Sequence, residues 1–169
     1  MTEERIKHAL EWIEGVALVG ANLNRADLRD RNLSNVNLSN ATLRGADLSG
    51  ADLSGAQLVR ADLSRACLHK TNFTGANLMG ADMSMAYMKA TNFTGANLSL
   101  AQLKRVTAKN AIFYDANMFG TNVFQSEFLG SLFNGANLEG VKHPETANFF
   151  GISNQIVSEE SDTTQGQDS

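Results

Sequence analysis

The residues of this chain best suited to proton transfer or nucleophilic attack are three histidines and a single cysteine. His8, His69 and His143 are far apart in the sequence. Cys67 has His69 two positions away, but no third group is evident that would orient the imidazole of a nucleophilic pair. We therefore interpret these side chains as unrelated surface residues and predict that none of them is catalytic.

Pairs of aspartates recur at a spacing of twenty residues, namely Asp27 with Asp47 and Asp62 with Asp82. Two carboxylates held together could bind a cation or act as acid and base. Asn alternates with Asp at the same position of the repeat described below, which indicates a structural preference for both side chains. No glycine-rich loop of the kind that binds phosphate leads from a strand into a helix. The sequence therefore predicts a protein that is not an enzyme and that uses no metal and no cofactor.

The elements that position these side chains follow from a repeat of five residues. Every fifth residue from Leu18 to Leu138 is large and apolar, with Ala108 as the exception, and a small residue usually precedes it by two positions. A period of five fits neither an α-helix nor a flat strand. The octapeptide 71–78 recurs residue for residue at 91–98. We therefore predict stacked coils, each made of four five-residue sides around a shared core.

The five-residue unit also has a characteristic composition. Ala-Asp-Leu-Ser-Gly stands at 46–50 and again at 51–55, with Ala-Asn-Leu and Thr-Asn-Phe variants elsewhere. This pattern closely resembles the pentapeptide repeat family over about residues 16–140. The resemblance implies an all-β solenoid, a right-handed quadrilateral β-helix, which at this length would have about six coils. The spacing of twenty places the following residues above one another as a column of the structural core: Leu33, Leu53, Phe73, Phe93, Phe113 and Phe133.

The corners and the outward positions also form columns. One corner column consists of residues that accept a positive φ and favour type II turns: Asn35, Gly55, Gly75, Gly95, Asp115 and Gly135. Other corners carry Arg60, Met85 or Leu100, which would either be strained in that conformation or avoid it. One outward column consists of amides and predicts a hydrogen-bonded ladder: Asn37, Gln57, Asn77, Asn97, Asn117 and Asn137.

Both ends of the chain depart from the repeat. We predict a short N-terminal capping α-helix over 1–15, the β-helix over 16–143, a C-terminal cap segment over 144–157 and a disordered acidic tail over 158–169. Large apolar residues point outward near the end of the repeat, where earlier coils mostly carry Ser, Thr, Lys or Arg. They are Tyr114, Phe119, Phe124 and Leu129. Either the cap segment folds back over them, or two copies of the protein form a homodimer there.

The charge distribution bears on partners and compartment. The formal net charge is −4, but residues 16–140 contain eleven Lys or Arg against nine Asp or Glu, a net charge of +2. The basic residues gather on two adjoining sides with no exposed aromatic residues between them, which argues against direct nucleic-acid binding. A single cysteine suits a reducing compartment, and neither an export leader nor a membrane-spanning run is present. We therefore predict a cytoplasmic protein that does not bind membranes.

These observations together favour a binding protein. We predict a non-enzymatic rigid rod that acts as a protein–protein interaction module, with a regulatory role as one option, on a protein partner whose identity the sequence does not give. Two of its sides suit such a partner. One is an uncharged wall of mainly Asn, Ser and Thr, and the other carries a thin apolar stripe of Val19, Val59, Met79 and Phe119. The family is numerous in photosynthetic bacteria, and this chain resembles its short single-domain members. The alternative implied by the resemblance is a DNA mimic that binds DNA gyrase or another topoisomerase, which the net charge of +2 opposes.

Overall fold

The chain forms a four-sided solenoid in which each side is one five-residue repeat. The structure is a computed structural model that describes residues 18–149. Parallel bridges join residues twenty positions apart, for example Asn32 to Asp52 and Asp52 to Asn72, so that each coil lies directly above the previous one. The predicted capping helix over 1–15, residues 150–157 of the predicted cap segment and the predicted tail over 158–169 lie outside the described residues.

Each side is defined by its column of inward-pointing central residues. Side 1 contains Leu18, Leu38, Leu58, Leu78, Leu98, Met118 and Leu138. Side 2 contains Leu23, Leu43, Leu63, Met83, Leu103 and Val123. Side 3 contains Leu28, Leu48, Leu68, Met88, Ala108 and Phe128. Side 4 contains Leu33, Leu53, Phe73, Phe93, Phe113 and Phe133.

The centre of the solenoid is a continuous apolar core. All six residues of the side 4 column are buried, and the rings of Phe73, Phe93, Phe113 and Phe133 stack nearly parallel at centroid distances of 5.1, 5.0 and 4.7 Å. Such pairs gain about 0.5–1.5 kcal/mol each beyond the burial of their surface. Identical side chains above one another keep the cross-section constant, which allows coils to stack without strain.

Ala108 leaves less side-chain volume on side 3 than its neighbours do. The next residue of that column, Phe128, turns its ring edge-on to Phe113 and Phe133 at centroid distances of 5.8 and 5.5 Å. All of these side chains are buried, as is Met88 in the coil below. The aromatic rings of sides 3 and 4 therefore share the last part of the core.

The backbone turns through a corner after every central residue, and a backbone hydrogen bond closes nearly all of these corners. On side 4 the amide of Ala76 donates to the carbonyl of Phe73 at 3.0 Å, and the intervening Gly75 has a φ of 64°. The same positive φ recurs at every fifth residue from Gly20 to Gly140, including Arg60, Met85 and Leu100. Left-handed backbone is therefore not confined to the glycine-rich corner, because all four corners must turn the chain within two residues.

Where Asp or Asn precedes a central residue, its side chain closes the corner from outside. The side-chain oxygen of Asn32 accepts from the backbone amide of Ser34 at 3.0 Å, and Asp47 does the same for Ser49 at 3.0 Å. This amide takes no part in the pairing between coils, so the carboxylate or amide oxygen satisfies a donor that would otherwise lack a protein partner. The requirement for such an acceptor explains why Asp and Asn alternate at this position.

The amide column of side 1 also links the coils. Asn77 donates to Gln57 at 3.1 Å, Asn97 to Asn77 at 3.3 Å, Asn117 to Asn97 at 3.5 Å and Asn137 to Asn117 at 3.2 Å. Each of these asparagine oxygens also accepts a backbone amide, for example that of Phe119 at 3.1 Å from Asn117. The ladder thus joins coils and closes corners with the same side chains.

The regular register ends at a short 3₁₀ helix over Pro144–Thr146. His143 before it has a φ of 61°, and the chain then returns to the ladder where Asn148 pairs with Glu127, a spacing of twenty-one rather than twenty. One extra residue is therefore accommodated here. Phe149 follows, stacking on Phe128 at a centroid distance of 5.0 Å and covering the end of the side 3 column.

Candidate functional site: outer surfaces of the rod

Cys67 and His69 do not form a nucleophile–base pair. The Cys67 sulfur lies 3.1 Å from the hydroxyl of Ser49 in the coil below, whereas Nδ1 of His69 lies 3.0 Å from the carbonyl oxygen of Lys89 in the coil above. The two side chains thus interact in opposite directions along the rod. His143 is at the far end, where it lies 3.5 Å from Glu145, and His8 is outside the described residues.

The stacked aspartates act as corner acceptors. Oδ1 of Asp62 accepts from the backbone amide and the hydroxyl of Ser64 at 3.0 and 2.6 Å, and its Oδ2 faces Arg44 at 3.4 Å. Asp82 accepts from the amide of Ser84 at 2.9 Å. Between residues 18 and 149, no group of three or more His, Cys, Asp or Glu side chains is arranged to hold a metal ion.

Asp27 has the one strongly shifted carboxyl pKa among the described residues. Hydrogen bonds from the Arg29 guanidinium at 2.6 and 2.8 Å, and a weaker one from the Arg29 backbone amide, lower the pKa of Asp27 from 3.8 to about 2. The same pairing raises the pKa of Arg29. Both side chains are largely exposed, so the pair is a surface ion pair.

The four outward apolar residues predicted near the end of the repeat lie on four different sides of the rod. Phe119 and Leu129 are exposed, whereas Tyr114 and Phe124 are half-buried. His143 contacts Phe124 edge-on at a centroid distance of 5.5 Å, so the chain after the last full coil covers part of this ring. These four residues surround the rod rather than forming one patch.

A longer apolar surface runs along side 1 and its corner. Met79, Leu100 and Phe119 are 39, 52 and 43% exposed, and the Leu100 side chain lies close to Gly120 in the next coil. Val59 precedes Met79 in the same column and is half-buried. The sequence predicted a stripe of Val19, Val59, Met79 and Phe119, of which Val19 is also exposed, but treated Leu100 only as a corner residue. An apolar residue at a corner, where backbone conformation favours Gly or Asn, is the signal that could have added it.

The uncharged wall of side 4 uses much of its hydrogen-bonding capacity internally. The hydroxyl of Thr74 donates to Asn72 at 2.6 Å, Asn72 donates to Asp52 at 2.9 Å, and Asn92 donates to Thr74 at 3.1 Å. Because a partner would have to compete with these bonds, side 4 is the weaker of the two predicted docking surfaces.

The basic residues of sides 2 and 3 that come after Arg44 in the repeat form a third surface, which we call the basic face. It consists of Arg65, Lys70, Lys89, Lys104, Arg105 and Lys109. The ring of Tyr87 is 44% exposed among them and lies 6.3 Å from that of His69. The expectation that no exposed aromatic residue lies between the basic residues is therefore wrong, because Tyr87 occupies an outward bridge position.

Comparison with known families identifies the class to which the solenoid belongs. The family model for pentapeptide repeats matches residues 21–56, 56–95 and 86–123 with eight copies of the repeat. The chain belongs to the pentapeptide repeat family, as the sequence resemblance predicted. Members of this family form right-handed quadrilateral β-helices and are generally structural or interaction modules rather than enzymes.

Solved structures of pentapeptide repeat proteins are similar to this chain. QnrB1, described as a plasmid-mediated fluoroquinolone resistance protein, is 25% identical with a TM-score of 0.56 over 80% of this chain and 78% of its own. HetL, involved in heterocyst differentiation regulation in the cyanobacterium Nostoc sp. strain PCC 7120, is 24% identical with a TM-score of 0.47 over 82% of this chain and 77% of its own. No curated protein sequence matches the chain. Across residues 18–149, no helix has the length and apolar character required to cross a membrane.

Proposed function

We propose that this protein is a rigid, non-enzymatic rod that binds a protein partner through the apolar stripe of side 1. The observation that carries the proposal is the exposure of Met79, Leu100 and Phe119 on one edge of a rod whose other outward positions are mostly polar. A fixed backbone adds affinity because little conformational freedom is lost on binding. Aromatic and methionine side chains are also enriched in the cores of protein interfaces.

We also propose a cellular compartment for the protein and a structure for the start of the chain. A single cysteine suits the cytoplasm, where we expect the rod to act. We retain a capping helix over 1–15 and a count of about six coils as parts of the same proposal, because an open stack of paired strands needs protected ends.

Affinity capture from the native cell tests the stripe directly. The wild-type rod and the variant Met79→Ser/Phe119→Ser serve as baits, with Thr74→Ala/Thr94→Ala on side 4 as the matched control. We expect a set of proteins to be retained by the wild type and the control, and to be lost with the stripe variant. Equal capture by all three baits would contradict a binding role for side 1.

Self-association through the outward aromatic residues Phe119 and Phe124 is a second possibility that can be tested. If two copies meet there, light scattering of the full chain gives a dimer mass that falls to a monomer mass in Phe119→Ser/Phe124→Ser. An unchanged mass in this variant excludes these residues as the homodimer interface.

A gyrase-binding DNA mimic is the second candidate function. The observation in its favour is the similarity to a fluoroquinolone resistance protein with a TM-score of 0.56. The net charge of +2 over residues 16–140 opposes it, because a mimic of duplex DNA needs a strongly negative surface. Protection or inhibition of gyrase supercoiling by submicromolar protein, in the presence of a quinolone, would place this candidate first.

A further inference from the structure

The cations of the basic face lack ion-pair partners among the described residues. Arg29 and Arg44, nearer the start of the rod, face carboxylates of Asp27, Asp47 and Asp62. None of the six basic-face cations forms an ion pair with another residue between 18 and 149. The carboxylates on these two sides in the same coils are those of Asp62 and Asp82. This part of the surface therefore carries a positive charge that the rod itself does not neutralise.

The last described residue, Phe149, lies at the end of the rod above the basic face. Phe149 stacks on Phe128 at the end of side 3. The column that follows the centre of side 3 reads, in descending order, Leu129, Lys109, Lys89 and His69. At ~4.8 Å per coil, Lys89 lies about 14 Å below the coil of Phe149.

The sequence after Phe149 complements this column in both composition and order. Residues 150–157 contain Ile152, Ile156 and Val157, and residues 158–169 contain Glu159, Glu160, Asp162 and Asp168 with no Lys or Arg. On the rod, exposed Leu129 comes first and the lysines follow. The order in the sequence, apolar residues and then acidic ones, thus matches the order on the rod, where an apolar residue is followed by basic ones.

The length of the connecting segment is sufficient. Nine residues separate Phe149 from Glu159 and span up to ~30 Å when extended. This exceeds the distance of about 14 Å to Lys89, at one coil per ~4.8 Å. We propose that the basic face is the docking surface of the chain's own acidic segment 158–169, within the same molecule, with residues 150–157 crossing Leu129. This surface is separate from the apolar stripe of side 1, so the inference goes beyond the proposed function.

Zero-length carbodiimide cross-linking of the full chain at low ionic strength tests the contact, because the reagent joins a carboxylate to an amine only when the two are paired. Peptide mass spectrometry is expected to show Glu159 or Glu160 joined to Lys89 or Lys109. Mixed ¹⁴N and ¹⁵N protein is expected to give cross-linked peptides of a single isotope, as an intramolecular contact requires. At ~0.5 M salt the yield should fall sharply, because screening weakens exposed ion pairs.

Three cross-linking results would overturn the proposal. They are an absence of any cross-link from Glu159 and Glu160 at low salt, cross-links from these residues only to Lys7 or Lys142, and cross-linked peptides of mixed isotope.

Binding of a polyanion provides an independent measurement that also distinguishes a nucleic-acid site. The probe is a fluorescently labelled single-stranded DNA of twelve nucleotides, followed by anisotropy. If the acidic segment occupies the face, Glu159→Gln/Glu160→Gln should bind the probe on the order of tenfold more tightly than the wild type, because the competent fraction rises. The control Asp115→Asn/Glu139→Gln removes the same charge elsewhere and should bind like the wild type. Tight binding by the wild type, unchanged in Glu159→Gln/Glu160→Gln, would instead assign the face to nucleic acid.

Discussion

Buried hydroxyl groups show how single residues vary within the repeat. Thr71, Thr91 and Thr121 replace alanine at inward positions, and their hydroxyls donate to the carbonyls of Leu48, Leu68 and Leu98 at 2.8, 2.5 and 2.9 Å. Each of these carbonyls begins a corner of the coil below and already accepts a hydrogen bond from the amide of that corner. The threonine hydroxyl therefore donates to the second lone pair of the carbonyl oxygen. Ser126 replaces the corner bond itself, donating to Leu103 and accepting from the amide of Val106. No buried side-chain nitrogen or oxygen among the described residues lacks a partner.

Truncation of Phe93, in the middle of the aromatic column, should be costly. The residue is fully buried and stacks on Phe73 below and Phe113 above. Phe93→Ala should lower the free energy of unfolding by ~3–5 kcal/mol, because the rigid coils cannot collapse into the cavity. Equilibrium denaturation in urea measures the loss. Phe119→Ala, at an exposed ring, is the control and should lose much less; equal losses in the two variants would contradict the packing described here.

The Asp27 carboxyl should titrate at an unusually low pH. Its pKa is lowered to about 2, so its pairing with Arg29 contributes stability above the ordinary carboxyl pKa of 3.8, and this contribution is lost as the pH falls through about 2. NMR titration of the Asp27 carboxyl is expected to give a midpoint near 2 in the wild type. In Arg29→Gln the midpoint should rise towards 3.8. A midpoint that is the same in both proteins would show that the guanidinium is not the cause.

The corner is the element that sets the shape of the rod, and it requires positive φ whatever the residue. Leu100 and Met85 adopt φ values of 60° and 61°, which cost L-residues roughly 1–2 kcal/mol each. These corners keep both the turn bond and the bond to the next coil, as when the amide of Leu100 donates to Phe119 at 2.8 Å. The regular stacking of neighbouring coils therefore holds each corner in a conformation that the isolated residue disfavours.

Substitution of Gly75 would measure the free-energy cost of the positive φ by itself. The φ of Gly75 is 64°, and a Cβ added there would meet no atom within 4 Å. Gly75→Ala should therefore destabilise the protein through backbone strain alone, by ~1 kcal/mol after the reduced entropy of the unfolded chain is included. Thermal or urea unfolding measures the change. Gly75→Asn is the matched variant and should lose less, since Asn tolerates left-handed backbone; a larger loss for Asn would contradict this explanation.

At the scale of the molecule, the period of five and the repeat of twenty were sufficient to predict the four-sided solenoid. Identical spacing places each Leu or Phe above the previous one, and no tertiary information is needed to see it. The register at Asn148 could not be predicted, because the sequence shows where Pro144 interrupts the repeat but not whether the ladder resumes. Tyr87 and Leu100, by contrast, could have been predicted to be exposed, because the period of five places Tyr87 at an outward position and Leu100 at a corner.

The coils are also interchangeable as units of length. Residues 71–78 and 91–98 are identical and occupy equivalent places one coil apart. Removing residues 71–90 would join Lys70 to Thr91 and recreate the local sequence that already follows Lys70. Misaligned recombination within such a gene would shorten or lengthen the protein by whole coils, and the sequence at the junction would match the ordinary repeat. Rod length is thus a quantity that evolution can adjust in single steps of one coil while leaving both ends intact.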